Sequence, residues 1–378
     1  MGSVAGADAV AGGAAGPGAG GVVARPRLFG RLAAQARVSV VSAPAGSGKT
    51  VLLRSWISQS GVAGSAAWVS AGRGDRDPPR FWLSALAALR QTAAGSALVG
   101  ELTAAPDLDG WVITERLLAD LAPLDDQLWL VVDDAHELSP EALRQLELLI
   151  MRAPPGLRFV LATRRDVRLG LHRLRLEGEL AEIREPDLRF TVAEARELFD
   201  AAGVDLPDPA PLVERTEGWA AGLRLAALWL AGHPDPGRLA AEFSGTERTV
   251  AEYLLAEVLD RQGEPVRRLL LRTSILDRVN GELADLLTGD HGGERVLQDL
   301  ERANAFVVSL DAQRSWFRYH HLFADLLQLE LRRTAPDEVA VLHRAAAGWF
   351  AGHGYPVDAV RHAQAAQDWG LALSLIHI

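Results

Sequence analysis

The first half of the chain alternates short apolar runs with stretches of helical periodicity. The apolar runs lie at residues 38–42, 66–70, 128–132, 158–163 and 181–183. Their length and composition are typical of buried strands. Between them, apolar residues recur at the spacing of an amphipathic helix, as at Phe81, Trp82, Ala85, Leu86 and Leu89. Strands that alternate with helices in this way predict an α/β fold, a doubly wound parallel sheet with helices on both faces.

Several helix starts in this half are marked by their own residues. Ser139-Pro140-Glu141 combines a capping serine with a proline in the first turn, and Thr191 with Glu194 forms a capping box. A further helix is predicted at 111–121. At the N-terminal end, we expect order to begin near Arg25-Pro26-Arg27-Leu28, as an extended segment that leads into a short helix at 29–35.

From about Asp208 the pattern becomes mainly helical. The predicted helices lie at residues 212–216, 219–231, 247–261, 265–273 and 294–303. Two apolar runs at 306–310 and 315–319 flank a polar turn, which predicts a β-hairpin. A helix bundle followed by a hairpin and a helix at 320–333 is the order of a winged helix. The helices at 338–350 and 357–367 predict one antiparallel pair, the first unit of a TPR-like helical solenoid.

These changes divide the chain into four predicted parts. Residues 1–24 form a Gly/Ala-rich disordered leader, 25–207 a P-loop nucleotide-binding domain, 208–335 a helical and winged-helix domain, and 336–378 the truncated start of helical repeats. Because one solenoid unit cannot bury its outer face alone, the sequence is expected to be an N-terminal fragment.

The composition narrows the class of protein. Hydrophobic residues make up 48% of the 378 residues and charged residues 23%, as in ordinary globular proteins. The sequence has no cysteine, which excludes disulfides, thiol nucleophiles and zinc–thiolate sites and fits a cytoplasmic location. A net charge of -10 disfavours generic attraction to nucleic acid. No apolar run approaches the roughly 18 residues of a membrane span, so no membrane contact is expected.

The strongest chemical motif follows the first predicted strand. Its eight residues are Ala43, Pro44, Ala45, Gly46, Ser47, Gly48, Lys49 and Thr50. Between a strand and a helix, such a loop directs its backbone N–H groups at a phosphate, while the lysine reaches the β- and γ-phosphates and the threonine holds Mg²⁺. The usual pattern has glycine at the first position, where alanine is tolerated if its φ stays negative. The alternative, a tight turn that binds nothing, is disfavoured by the flanking strand and helix.

Two carboxylates follow the third apolar run. Asp133 is predicted to bind Mg²⁺ opposite Thr50, at the edge of the sheet where ligands of open α/β sheets lie. Asp134 is the candidate base that polarises the attacking water, although an aspartate reaches less far than a glutamate. The alternative is that one of them only caps the next helix, but Ser139 already supplies a cap.

The strand at 158–163 ends in Thr163-Arg164. Beside a γ-phosphate, Arg164 would let the protein distinguish ATP from ADP. The alternative is a solvated arginine in a basic run, and the sequence leaves both open. The run comprises Arg164, Arg165, Arg168, Arg173 and Arg175.

In this order, the motifs resemble a known family over residues 24–370. They are Arg25-Pro26-Arg27-Leu28, the loop at 42–50, and the segments 131–137, 162–164, 216–220, 252–254 and 316–323. The chain resembles the large ATP-binding regulators of the LuxR class, which belong to the signal-transduction ATPases with numerous domains. Alanine at the first loop position is typical of that family.

The resemblance implies a nucleotide switch. ADP would lie between the α/β domain and the winged helix and keep the molecule closed, with His320 at the phosphates, Gly218 and Trp219 at the adenine, and Arg27 also at the site. A small-molecule or protein inducer at the C-terminal repeats would favour ATP and self-association. DNA would be bound only through a C-terminal helix-turn-helix that this sequence lacks. From the residues alone, a histidine that opens a helix is more often a capping or packing residue.

These features leave three candidate functions. The first is a slow, switching ATPase in a transcriptional regulator. The second is a fast AAA-type motor, which would need an arginine from a neighbouring subunit. The third is an interaction scaffold with a degenerate loop, which would bind no ATP.

Overall fold

The computed structural model describes residues 22–33, 36–72, 77–100, 109–167, 169–231, 233 and 235–376. Residues 1–21 of the predicted leader lie outside the described residues, as do Gln35 of the first predicted helix, Arg168 of the basic run, and residues 377–378.

The first half of the chain forms a parallel sheet with helices around it. Its elements are α1 (Pro26–Leu32), β1 (Val38–Ser42), α2 (Lys49–Gln59), β2 (Ala66–Ser70), α3 (Pro78–Arg90), α4 (Ala93–Leu98), α5 (Gly110–Leu121), β3 (Leu128–Asp133), α6 (Pro140–Arg152), β4 (Leu157–Thr163), α7 (His172–Leu176), β5 (Leu180–Arg184), α8 (Glu185–Leu188) and α9 (Val192–Ala201). The strands run in the order β2-β3-β4-β1-β5, and every pairing is parallel. The predicted α/β fold is confirmed.

Alternate residues of the strands enter two separate cores, one on each face of the sheet. In β3, Leu130 packs with the α3, α5 and α6 side, whereas Val131 packs with Leu53 and Trp56 of α2. This alternation follows from the two-residue period of a strand, which points neighbouring side chains to opposite faces. Because both faces are covered, polar groups at the carboxyl ends of the strands are left at the edge of the sheet.

The N-terminal segment differs from its prediction. The extended conformation predicted for residues 25–28 is wrong, because α1 already begins at Pro26 and ends at Leu32. Proline suits the first helical position, where its fixed φ is favourable and its missing N–H costs no hydrogen bond. Leu28 and Leu32, one turn apart, are both buried, and their burial fixes the helix.

The second half of the chain is mainly helical. Its elements are α10 (Ala210–Arg215), α11 (Ala220–Leu230), α12 (Pro236–Ala240), α13 (Arg248–Glu257), α14 (Glu264–Thr273), α15 (Gly281–Thr288), α16 (Gly293–Arg302), β6 (Val307–Ser309), β7 (Phe317–Tyr319), α17 (His321–Thr334), α18 (Pro336–Gly352), α19 (Pro356–Ala365) and α20 (Trp369–Ile376). The helix predicted at 247–261 is interrupted, because Val258 leaves the helical region with φ -122° and ψ -64°. Helix α15, which the sequence reasoning missed, lies between α14 and α16.

A short antiparallel hairpin, β6–β7, follows α16. It is shorter than predicted, because Phe306 has φ 58° and lies outside the extended region. Val279 exchanges two backbone hydrogen bonds of 2.8 Å with Phe317, which adds a third chain segment to the pair. Helices α18 and α19 then pack through small buried residues, among them Ala347 and Ala363. None of the helices in the described ranges is both long and apolar enough to cross a bilayer.

Candidate functional site

The loop between β1 and α2 has the conformation that its sequence predicts. Gly46 and Gly48 have φ of 72° and 80°, in the left-handed region that glycine enters without strain. Ala43 is buried and is not among the residues with positive φ, so its methyl group is accommodated. Helix α2 begins at Lys49 directly after Gly48, which places the loop at a helix N-terminus.

Lys49 lies inside this loop. Its Nζ donates hydrogen bonds of 2.7 Å to the carbonyl oxygens of Ala43 and Pro44. Burial, followed by the charge of Arg164, lowers the pKa of Lys49 to about 8. Lys49 is also the only lysine in the sequence, since every other basic residue counted with it is an arginine.

Thr50 and Asp133 meet across the sheet edge, as the sequence predicts. The Thr50 Oγ1 donates to Asp133 Oδ2 at 2.8 Å. Asp133 is 4% exposed, and burial raises its pKa, although the hydrogen bond from Thr50 opposes that rise. This arrangement sets a hydroxyl and a carboxylate side by side, next to the phosphate loop.

Asp134 and Arg164 lie near each other at the ends of β3 and β4. The Arg164 Nε is 3.9 Å from Asp134 Oδ1, and its Nη1 donates to Glu257 Oε2 of α13 at 2.6 Å. Arg164 is therefore held between two carboxylates, whereas Arg173 and Arg175 of the basic run are exposed. The alternative of a solvated arginine therefore describes Arg173 and Arg175, whereas Arg164 is half-buried and paired.

A cavity of about 320 Å³ separates the phosphate loop from the winged-helix region. It is lined from the sheet side by Pro44 and Ser47 and from the helical side by Trp219 and His320. The remaining lining residues include Asp166, Arg184, Glu185, Pro186, Arg302, Asn304, Phe306, Val308 and Arg314. Both halves of the chain thus contribute to one partly open cavity.

His320 lies at the N-cap of α17, yet its side chain does not cap the helix. Its Nε2 is 2.9 Å from the Thr216 carbonyl oxygen, while its buried Nδ1 has no hydrogen-bond partner in the described part of the chain. Burial lowers the pKa of His320 to about 4, so the ring is neutral near pH 7. In the neutral ring the Nε2 donates to that carbonyl oxygen, so the Nδ1 is a buried acceptor without a partner in the described part of the chain, which is costly.

Trp219 fixes the loop to the helical half of the chain. Its Nε1 donates to the Ala45 carbonyl oxygen at 3.0 Å, and Ala221 N donates to the Gly46 carbonyl oxygen at 2.9 Å. A Cβ at Gly46 would come within 2.8 Å of the Tyr253 hydroxyl. Sequence reasoning missed this docking and the role of Tyr253, although both Trp219 and Tyr253 belong to motifs that the resemblance singled out.

Two further predicted site residues make other contacts. Arg27 is bound to Glu194 at 3.0 Å and to the carbonyl oxygens of Asp187 and Arg189, close to the segment that contributes Pro186 to the cavity. Gly218 has φ 69°, and a Cβ there would meet the Phe190 backbone at 2.8 Å. A side chain at position 218 would therefore clash with the Phe190 backbone, which explains why this residue is glycine.

Glu217, which the sequence reasoning did not assign, joins three segments. It accepts two hydrogen bonds from Arg318 of β7, at 2.7 and 2.6 Å, and one from Arg189 at 3.3 Å. The His321 backbone N–H donates to the same carboxylate at 3.2 Å. Burial by itself raises the pKa of Glu217, but the hydrogen bond from Arg318 and nearby positive charge outweigh it and lower the pKa to about 2.

The lowered pKa of Glu217 predicts a specific pH dependence. Because the pKa in the folded state lies below the ordinary value of 4.5, the stabilisation is present above about pH 4.5 and is lost as the pH falls towards 2. We expect Glu217→Gln to lower the free energy of unfolding by about 2 kcal/mol at pH 7, and the difference from the unsubstituted protein to vanish near pH 2. Urea unfolding at several pH values measures this difference.

The matched control is Glu252→Gln, because Glu252 forms an exposed ion pair with Arg248 on one helix. Such pairs contribute little, so the control should change the stability by less than about 0.5 kcal/mol. A deficit in Glu217→Gln that stays constant from pH 7 to pH 2 would contradict the assignment.

The sequence of this chain is similar to sequences of known proteins. A family model described as the MalT winged helix domain matches residues 255–339. The serine/threonine-protein kinase PknK of Mycobacterium tuberculosis is 34% identical over 366 residues, which cover 94% of this chain and 33% of PknK. The HTH-type transcriptional regulator MalT of Serratia proteamaculans is 32% identical over 357 residues, 92% of this chain and 39% of that protein. The chain therefore spans about a third to two fifths of these relatives' length.

Two solved structures overlap with most of the chain. The Orc1 protein of Aeropyrum pernix, in complex with DNA, has a TM-score of 0.40 and 16% identity, and covers 81% of this chain and 91% of its own. Cdc6p from Pyrobaculum aerophilum has a TM-score of 0.35 and 14% identity, over 82% and 96%. At these scores the likeness supports no conclusion about function.

Proposed function

Because this chain is a MalT-like sequence over almost its whole length, we propose that it is the ATP-binding switch module of a LuxR-type transcriptional regulator. The observation that carries the proposal is the Thr50–Asp133 hydrogen bond of 2.8 Å beside Lys49, at the carboxyl end of a parallel sheet. A loop that ended in a simple turn would not require a lysine, a hydroxyl and a buried carboxylate together.

The residues present fit a nucleotide. The loop supplies backbone N–H groups at the α2 N-terminus and the positive charge of Lys49, both of which suit phosphates. His320 lies on the opposite wall of the cavity. Its Nδ1 is an acceptor in the neutral ring, so the ring would take up a proton to donate to a phosphate oxygen, and the negative charge of the phosphates would favour that protonation. We assign the phosphates to the loop and His320, and the base to the space next to Trp219.

Hydrolysis would use the carboxylates at the sheet edge. Thr50 and Asp133 would hold Mg²⁺, the second directly or through water, as this ion usually takes few protein ligands and completes its shell with water and phosphate. Bound Mg²⁺ would neutralise charge on the β- and γ-phosphates. Asp134 would orient the attacking water and Arg164 would contact the γ-phosphate. We propose a slow ATPase, as suits a switch.

The docking of the loop on the helical half supports the proposed switch. Hydrogen bonds from Trp219 and Ala221 to loop carbonyl groups, together with the hydrogen bond from Arg189 to Glu217, support a closed form in which ADP is held between the two halves. An inducer at the helical repeats would favour ATP, domain opening and self-association. DNA contact in the whole regulator would belong to a helix-turn-helix domain outside this chain.

Nucleotide binding is testable through Lys49. Since Lys49 is the only lysine and its pKa is lowered to about 8, an amine-acylating reagent at pH 8 should modify one side chain. We expect 1 mM Mg–ATP or Mg–ADP to slow this acylation at least about tenfold, because phosphates would cover the Nζ and keep it protonated. Peptide mass spectrometry measures the rate.

The N-terminal amine provides an internal control, and its acylation should be unaffected by nucleotide. Equal rates of Lys49 acylation with and without nucleotide would contradict the proposed site. A Mg²⁺ control without nucleotide separates protection by the nucleotide from an effect of the ion alone.

A further inference from the structure

An ion pair across the two halves of the chain holds Arg164 in a half-buried position. The Arg164 Nη1 donates to Glu257 Oε2 at 2.6 Å, and the side chains are 31% and 26% exposed. The other oxygen of Glu257 accepts a hydrogen bond from Arg261 at 2.9 Å. Both oxygens of this carboxylate are therefore committed to arginines in the docked arrangement.

The pair lies at a second cavity, of about 260 Å³, on the Arg164 side of the phosphate loop. Ala45, His136 and Arg164 line it from the sheet side, and Glu257 and Arg261 line it from the helical side. Ala45 and Arg164 line the same cavity, so Arg164 lies beside the phosphate loop, on the side that we assign to a third phosphate. Asp134 is 3.9 Å from the same guanidinium.

A terminal phosphate bound by Arg164 would meet the carboxylate that already occupies this arginine. Two anions beside one guanidinium repel each other, and the repulsion is strong where water is partly excluded. A diphosphate lacks the third group and leaves the ion pair intact. Specificity of this kind arises from a penalty against the wrong ligand as well as from contacts with the right one.

We propose that Glu257 determines the preference of the docked chain for a nucleoside diphosphate over the triphosphate. This inference rests on the nucleotide site proposed above. Glu257 sets this preference by holding the arginine that the γ-phosphate would need. Glu257 is thus a specificity-determining residue that acts through Arg164.

The position of Glu257 also connects the nucleotide to the docking of α13. Tyr253, one helical turn before Glu257, lies against the loop at Gly46. A γ-phosphate that captured Arg164 would release Glu257 at one end of this contact, and α13 would lose its ion pair with the sheet domain. Triphosphate binding and separation of the two halves are then favoured together.

The test measures the ratio of the ATP and ADP dissociation constants, in the presence of Mg²⁺, by displacement of a fluorescent ADP analogue from the full 378-residue chain. In Glu257→Gln, which keeps the size of the side chain and removes its charge, we expect ATP to bind about tenfold tighter relative to ADP. Affinity for ADP itself should change less than twofold. Glu252→Gln, on the exposed side of the same helix, should leave the ratio unchanged.

An unchanged ratio in Glu257→Gln, with both nucleotides still bound, would overturn this inference and leave the proposed function standing. Absence of nucleotide binding by the unsubstituted chain would overturn both. Glu257→Ala, which removes the carboxylate without leaving an amide, provides a second variant, and circular dichroism checks that each variant is folded. A lower ratio of the ATP to the ADP dissociation constant in either folded variant supports the role of Glu257.

Discussion

Replacing Lys49 by alanine is expected to weaken ATP and ADP binding ten- to a hundredfold, roughly 1.5–3 kcal/mol, as for the loss of one charge-assisted hydrogen bond. The Nζ, which is bonded at 2.7 Å to Ala43 and Pro44 carbonyl groups, is the cation at the centre of the loop. No other lysine in the sequence could substitute for it. Isothermal titration calorimetry with Mg–ATP and Mg–ADP measures the change.

Arg54→Ala is the matched control, because it removes an exposed cation from the same helix, where the guanidinium lies over the Trp68 ring. Its effect on nucleotide affinity should stay within about twofold. Equal affinities in Lys49→Ala and the unsubstituted protein would remove the basis of the proposed function.

The second large effect is expected at Trp219. Trp219→Ala should reduce the free energy of unfolding by about 3–5 kcal/mol, the usual range for truncating a buried tryptophan. The ring is 6% exposed, and its centroid lies 5.1 Å from that of Phe306 and 5.5 Å from that of Tyr253. The substitution also leaves the Ala45 carbonyl oxygen without its indole donor. Urea unfolding followed by circular dichroism measures the loss.

Hydrogen exchange distinguishes a loss of docking from a general loss of stability. The Ala221 amide, which donates to the Gly46 carbonyl oxygen, should exchange faster in Trp219→Ala by a larger factor than amides within β3. Trp369→Ala removes the same side chain from a position that is 62% exposed and should cost less than about 0.5 kcal/mol. A similar loss in both variants would show that Trp219 does not hold the loop.

Several helices and strands end at other residues than the sequence predicts, because tertiary contacts outweigh local preferences there. The helix predicted at 247–261 ends at Glu257, where the chain forms its ion pair with Arg164 and then turns to bury Val258 and Leu259. The hairpin is shorter because Phe306 adopts a positive φ while its ring packs against Trp219 and His320. Local periodicity contains no information about either contact.

The contacts that close the site were also beyond sequence reasoning. Glu217 and Arg318 are 101 positions apart, and Arg164 and Glu257 are 93 apart. Each is an ordinary charged residue in its own segment. Their importance arises from partial burial, which makes an unpaired charge costly. Burial depends on how distant segments pack, within the helical half for Glu217–Arg318 and between the two halves for Arg164–Glu257. The family resemblance indicated the segments but not these partners.

The sequence by itself determined the α/β sheet and the phosphate loop. Both rest on local rules: buried parallel strands need continuous apolar runs, and an anion-binding turn needs glycine where φ is positive, as at Gly46 and Gly48. It also placed Thr50 and Asp133 together, because carboxyl ends of parallel strands meet at one edge. Only the tertiary structure decided three contacts: the loop docks on Trp219, one buried nitrogen of His320 has no partner among the described residues, and Arg164 is held by Glu257. Those contacts join residues far apart in the chain, and their energies come from excluding water at an interface that no single segment encodes.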